Sequence, residues 1–195
     1  MENEQIKIIL SSTYPFLKET DIHQFLKIAK YQSLKNREVF IQAGQNSNKI
    51  FFILSGMIRG YFINQKGEEK NIFLRPEHTI SGAPDSLFQN KPTKYTFESI
   101  LKSELLVCSF QNFQELSIQL PNINKIHLAA LHENLQTLIF RVESLIDKLP
   151  EERYVELLEK SPQFFQTAFN KHIANYLGIT PNSLSRIIKR KKEGK

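Results

Sequence analysis

Leu128, Leu131, Leu135, Leu138, Val142, Leu145 and Leu149 recur at intervals of alternately three and four residues. Only an α-helix brings such a series onto one side, where it forms a heptad seam. A stripe this narrow calls for a facing helix, and in a chain of 195 residues the simplest one is the same helix of a second copy. The seam therefore predicts a long dimerisation helix over residues 111–149, with Leu128, Leu131, Leu135, Leu138, Val142 and Leu145 at the interface. Ile139 and Ile146, just off the stripe, leave room for packing on the chain's own body as well. Pro150 ends this helix and opens the next, where Glu151 and Glu152 sit favourably at the positive end of the new helix dipole.

Upstream of the seam the apolar period is different. Residues 5–30 keep helical spacing through Ile6, Ile9, Leu10, Ile22, Phe25 and Leu26, broken at Tyr14-Pro15, which predicts two short helices. From Val39 onward come short β-branched and aromatic runs: 39–41, 49–54, 57–63, 71–74, 95–101 and 105–110. Turn residues such as Ala43-Gly44, Ser55-Gly56 and Lys66-Gly67 separate them. Strands at this spacing predict a β sandwich or barrel. The expected fold is α+β: an N-terminal β-roll sensor unit over residues 1–110, the dimerisation helix over 111–149, and a small helical unit over 150–195.

Charge singles out that last unit. Residues 1–170 carry 19 basic and 19 acidic side chains, whereas residues 171–195 carry seven basic and one acidic, so the whole net charge of +6 lies in the final 25 residues. A basic cluster confined to one end is the electrostatic footprint of binding to a phosphate backbone. The segment from Lys171 to Arg190 also has the grammar of a helix-turn-helix. Ala174 is small where two helices must approach, Gly178 permits the left-handed turn, and Ile179 fills the angle between the helices. Thr180 is a good N-cap with Pro181 at the first helical position, and Leu184, Ile187 and Ile188 face inward.

The polar face left over comprises Asn182, Ser183, Ser185, Arg186, Lys189 and Arg190. Arg186 can bond a guanine edge in two places; Asn182 and Ser185 are the next candidates for base contact. Thr180, Ser183 and Lys189 are better placed for phosphates. The expected partner is double-stranded DNA.

Cys108 is the single cysteine, which precludes an intrachain disulfide and a cysteine-ligated cluster. The five histidines, His23, His78, His127, His132 and His172, are scattered without metal-ligand spacing, and no nucleophile motif stands in the chain. No catalytic residue, metal or cofactor is expected, and the chain is not expected to be an enzyme. The acidic start and the lack of a long apolar run suggest a cytoplasmic protein without a membrane partner.

The order of parts, together with Ile173-Ala174-Asn175-Tyr176-Leu177-Gly178-Ile179-Thr180-Pro181 and Leu184-Ser185-Arg186-Ile187, resembles the cyclic-AMP-receptor and fumarate–nitrate-reduction regulator family, Crp/Fnr, in particular the branch common in Bacteroidetes. The resemblance implies a cyclic-nucleotide-binding-like β-roll, a homodimer, and DNA recognition by the helix starting at Pro181. Members that bind cyclic AMP carry a Gly-Glu pair and, further on, an arginine that holds the phosphate. Here Gly82 is followed by Ala83, and Lys94 stands where no arginine does, so cyclic AMP is not the expected effector. A small-molecule effector of another kind would sit at a candidate pocket formed by Ser81, Gly82, Ala83, Lys94 and Tyr95 against the long helix. The alternative function is a ligand-binding signalling protein whose C-terminal module contacts protein rather than DNA.

Overall fold

The structure, a computed structural model, describes residues 3–193. Helices α1 (Asn3–Thr13) and α2 (Glu19–Ile28) open the chain. Eight strands follow: β1 (Lys30–Leu34), β2 (Val39–Ile41), β3 (Lys49–Ser55), β4 (Met57–Ile63), β5 (Glu69–Pro76), β6 (Ile80–Gly82), β7 (Thr96–Ser99) and β8 (Ser103–Ser109). The short helix α3 (Pro84–Gln89) lies between β6 and β7. All strand pairs are antiparallel, in two four-stranded sheets ordered β1-β8-β3-β6 and β2-β7-β4-β5.

The run Ile50 to Leu54 is apolar without alternation because β3 is covered on both faces. Phe51 and Ile53 join Leu34, Ile58, Phe97 and Leu105 between the two sheets. Ile50, Phe52 and Leu54 point the other way, onto α1, α2 and the helices after the roll. Cys108 belongs to this second layer, and burial pushes its thiol up to about 12, out of reach of thiolate chemistry at neutral pH. At the β3–β4 turn Gly56 adopts φ +90°, and a Cβ there would lie 2.6 Å from the Lys102 carbonyl oxygen. Only glycine fits that crossing.

The segment 111–149 is not one helix. Helix α4 (Phe110–Gln119) stops at Leu120, and α5 (Pro121–Asp147) begins with proline at its first position. Proline forces the preceding residue out of the helical region, and Leu120 is extended at φ −120°, ψ 105°. Phe113 and Leu116 of α4 are buried against the roll, so the uninterrupted rod carrying the seam is α5.

Along α5 the inner face, Ile123, Ile126 and Ala130, is buried in the α1–α2–α4 layer. The seam is bare: Leu128 is 58% exposed, Leu135 57% and Val142 52%, with Ile139 and Ile146 beside them also exposed. Beyond α5 come α6 (Pro150–Lys160), α7 (Gln163–Thr167), α8 (Asn170–Tyr176) and α9 (Pro181–Lys192). They do not close a core by themselves. Met57, Leu74 and Ile100 from the sheet containing β4, β5 and β7 share one apolar cluster with Tyr154, Leu157, Phe164, Ile173 and Leu184. The sequence carried no sign of this docking. Among the described residues no helix is long and apolar enough to cross a membrane.

Candidate nucleic-acid interface

The turn between α8 and α9 is built as its residues dictate. Gly178 stands at φ +72°, and the Ile179 amide donates to the Ala174 carbonyl at 2.9 Å, turning the chain tightly over the fully buried Ala174. Thr180 is the N-cap of α9: its hydroxyl accepts from the Ser183 amide at 3.1 Å, satisfying one of the unpaired first-turn donors. Leu184 and Ile187 are buried below the helix.

Asn182, Arg186 and Lys189 are exposed on the outer face of α9 beside Ser185, whose hydroxyl donates back to the Pro181 carbonyl at 3.0 Å. Ser183 is half-buried, close to its cap partner. Among the described residues Arg186 has no ion pair. Arg190 differs. It pairs with Glu151 of α6 at 3.2 Å, and Lys191 reaches the same carboxylate at 3.7 Å, so the end of α9 is tied to α6.

The residues that set the orientation of this module were not among those the sequence singled out. The Asn175 side chain behaves as an extra piece of β-strand. Its oxygen accepts from the Asn71 amide at 2.6 Å and its nitrogen donates to the Glu69 carbonyl at 2.6 Å, both on β5. Asn71 answers through its own side chain, which donates to the His172 carbonyl at 3.1 Å. Arg141 of α5 donates to the carbonyls of Ile72 (2.7 Å), Asn71 (2.8 Å) and Tyr176 (3.0 Å), so one guanidinium joins the seam helix, the roll and α8.

Beneath them the buried Arg59 pairs with Glu69 at 2.6 Å and Glu98 at 2.7 Å. Burial, with the Arg59 and Lys171 charges nearby, pushes His172 down to about 4, so it is neutral at physiological pH. One signal was legible: Arg59 interrupts an apolar strand, and a charge there needs a buried partner.

The candidate effector residues are split. Ser81 and Gly82 line a cavity of about 220 Å³ between the roll, α3 and α5. Ala83, Lys94 and Tyr95 do not. Ala83 is fully buried between the sheets, Lys94 is exposed, and the Tyr95 ring packs edge-on to Phe73 at 5.4 Å, filling the roll with aromatic side chains. The cavity's other wall comes from α5, including Ala130, Leu131, Asn134 and Leu138. Two of these, Leu131 and Leu138, are seam residues, so the cavity borders the stripe.

The architecture is thus a β-roll followed by a helix with an uncovered heptad face and a helix-turn-helix. Residues 31–119 match the family model described as cyclic nucleotide-binding domain. The anaerobic regulatory protein of Haemophilus influenzae is 24% identical over 190 residues, covering 90% of this chain and 73% of that protein. The structure of FixK2 from Bradyrhizobium japonicum is similar with a TM-score of 0.73 at 14% identity, covering 86% of each chain. CooA from Carboxydothermus hydrogenoformans, as a mutant, is similar with a TM-score of 0.70 at 19% identity, covering 87% of this chain and 79% of that one. The chain therefore has the fold of FixK2 and CooA, with a cyclic-nucleotide-binding-type domain over residues 31–119.

The ligand named in the domain's description does not fit these residues. The cavity lining includes no charged side chain, and a cyclic phosphate buried there would have no guanidinium or ammonium to meet it.

Proposed function

We propose that the chain is a cytoplasmic transcription regulator that binds double-stranded DNA in a sequence-specific manner as a homodimer and does not respond to cyclic AMP. The observation that carries this reading is the outer face of α9: Asn182, Ser185, Arg186 and Lys189 are exposed, and the Arg186 guanidinium has no ion pair among the described residues. An arginine left uncommitted on a capped helix suits major-groove readout, with Asn182 and Ser185 alongside it for base edges and Thr180, Pro181, Ser183 and Lys189 against the backbone. Arg190, tied to Glu151, contributes to phosphate contact only by exchanging that carboxylate for DNA.

The bare seam of α5 supports the homodimer. Pairing Leu128, Leu131, Leu135, Leu138, Val142 and Leu145 with the same residues of a second copy sets two α9 helices for successive major grooves, about 34 Å apart, on a near-palindromic site. The test is selection of bound sequences from random duplexes at two salt concentrations. Enrichment of a two-fold symmetric site with steep salt dependence is the expected result. Salt-dependent binding without enrichment would reduce the module to a basic surface, and the absence of any binding would favour the reading in which it contacts protein.

A further inference from the structure

We infer that the cavity between the roll, α3 and α5 is a binding site for an uncharged, predominantly apolar small molecule. It goes beyond the proposed function: it concerns the roll and α5 rather than α9, and it names the chemical class of the ligand.

The walls decide the class. Ile50, Ile80, Leu87 and Phe88 supply apolar surface from the roll and α3, and Ala130 and Leu131 supply it from α5. Helix α3 is held over the space by the Phe88 ring, which meets Phe110 edge-on at 5.6 Å. The polar lining groups are Ser81, His127 and Asn134, and of these Asn134 is already engaged in hydrogen bonds. The His127 ring lies edge-on to Phe110 and Phe113 at 5.8 and 5.6 Å, and burial lowers its pKa, which keeps it neutral among these aromatics. Asn134 donates to the Ala130 carbonyl at 2.6 Å and accepts from the Arg75 guanidinium. Arg75 lies behind Asn134, over the Phe73 ring at 5.5 Å, so a ligand meets the carboxamide and not the charge.

The Ser81 hydroxyl and the His127 ring nitrogens can serve one or two hydrogen-bonding groups on an otherwise apolar guest. At about 220 Å³ the space exceeds the ~150 Å³ apolar cavity that accepts benzene. A nucleotide phosphate would be stripped of water with no compensating cation, whereas an apolar guest gains the burial of its own surface and that of the lining. Since Leu131 and Leu138 belong both to the cavity and to the seam, such a guest acts where the two copies meet.

Indole, uncharged and carrying one N–H donor, is a suitable probe. Titrated into the full-length protein, it is expected to bind saturably and to shift the methyl resonances of Ile50, Ile80 and Leu87, while cyclic AMP at the same concentrations moves none of them. Ala130→Leu, which fills the cavity from α5, should weaken indole binding by roughly tenfold or more. If that variant does not fold, Ser81→Leu closes the same space from the roll. Saturable cyclic AMP binding at these methyls would overturn the inference, as would indole shifts confined to Leu128 and Leu135 on the outer seam, no indole binding, or undiminished binding in the filled variants. The DNA selection is run on the same preparation: an enriched site without indole binding removes only this inference, and indole binding without DNA binding removes only the proposed function.

Discussion

Arg186 and Arg190 lie one helical turn apart on α9, yet the structure gives them different work. Arg190 is paired with Glu151, while Arg186 has no such partner among the described residues. Arg186→Ala should therefore lower specific affinity by about 1–3 kcal/mol and relax preference at one base pair of the selected site. Lys189→Ala should weaken binding to all sequences alike and reduce the salt slope, a contrast that titration at two salt concentrations resolves. Equally specific is the expectation for His172, whose folded pKa falls from 6.5 to about 4. The unfolded chain takes up this proton below about 6.5 and the folded chain only near 4, so this group's contribution is complete above pH 6.5 and is lost as the pH falls towards 4. Thermal midpoints measured across that window should decline more steeply in the wild type than in His172→Asn.

At the scale of elements, α5 has two faces with opposite fates. Its Ile123–Ile126–Ala130 face is buried against the roll, and its leucine stripe faces outward. Replacement of Leu135, 57% exposed in the single chain, should leave the protomer folded and break the pair. Sedimentation of Leu135→Asp should show monomer at concentrations where the parent chain is dimeric, because each lost leucine removes about 1.5–3 kcal/mol of burial from each side and a carboxylate enters an apolar seam. A dimeric Leu135→Asp protein would count against the seam. The heptad spacing was legible because it depends only on the helical period. The break at Leu120 is encoded as well, by Pro121, which disfavours a helical conformation at the residue before it. Strand β1, Lys30-Tyr31-Gln32-Ser33-Leu34, carried no alternation worth reading, since only Leu34 is buried along it.

For the whole molecule, the consequential feature is that the helix-turn-helix shares its apolar core with the roll. Asn175 and Arg141 make the polar part of the joint by spending side-chain donors on β5 carbonyls. The turn itself leans on α5, since a Cβ at Gly178 would come within 3.4 Å of Leu145. A change in seam geometry is thereby mechanically close to α9. Arg141→Met should leave three carbonyls without their donor and loosen α8 from the roll. Calorimetry is expected to resolve the single unfolding transition of the parent chain into two, with faster amide exchange in α8 and α9 than in β3. One undivided transition in the variant would show that the apolar cluster alone holds the module.

The sequence by itself determined whatever local chemistry can encode: the seam from its period, the cap and turn around Gly178 and Thr180 from their conformational preferences, and the polar face of α9 from what packing left outside. It also excluded a phosphate-holding arginine from the Gly82–Ala83 loop. Tertiary structure decided the rest. Whether Ser81 or Tyr95 meets the cavity depends on how α3 and the aromatic side chains fill the roll, and whether Asn175 faces solvent or β5 depends on a contact between residues more than a hundred positions apart. The physical reason is common to both. A hydrogen bond or a void between distant segments leaves no period or spacing in either segment, because each side satisfies only its partner.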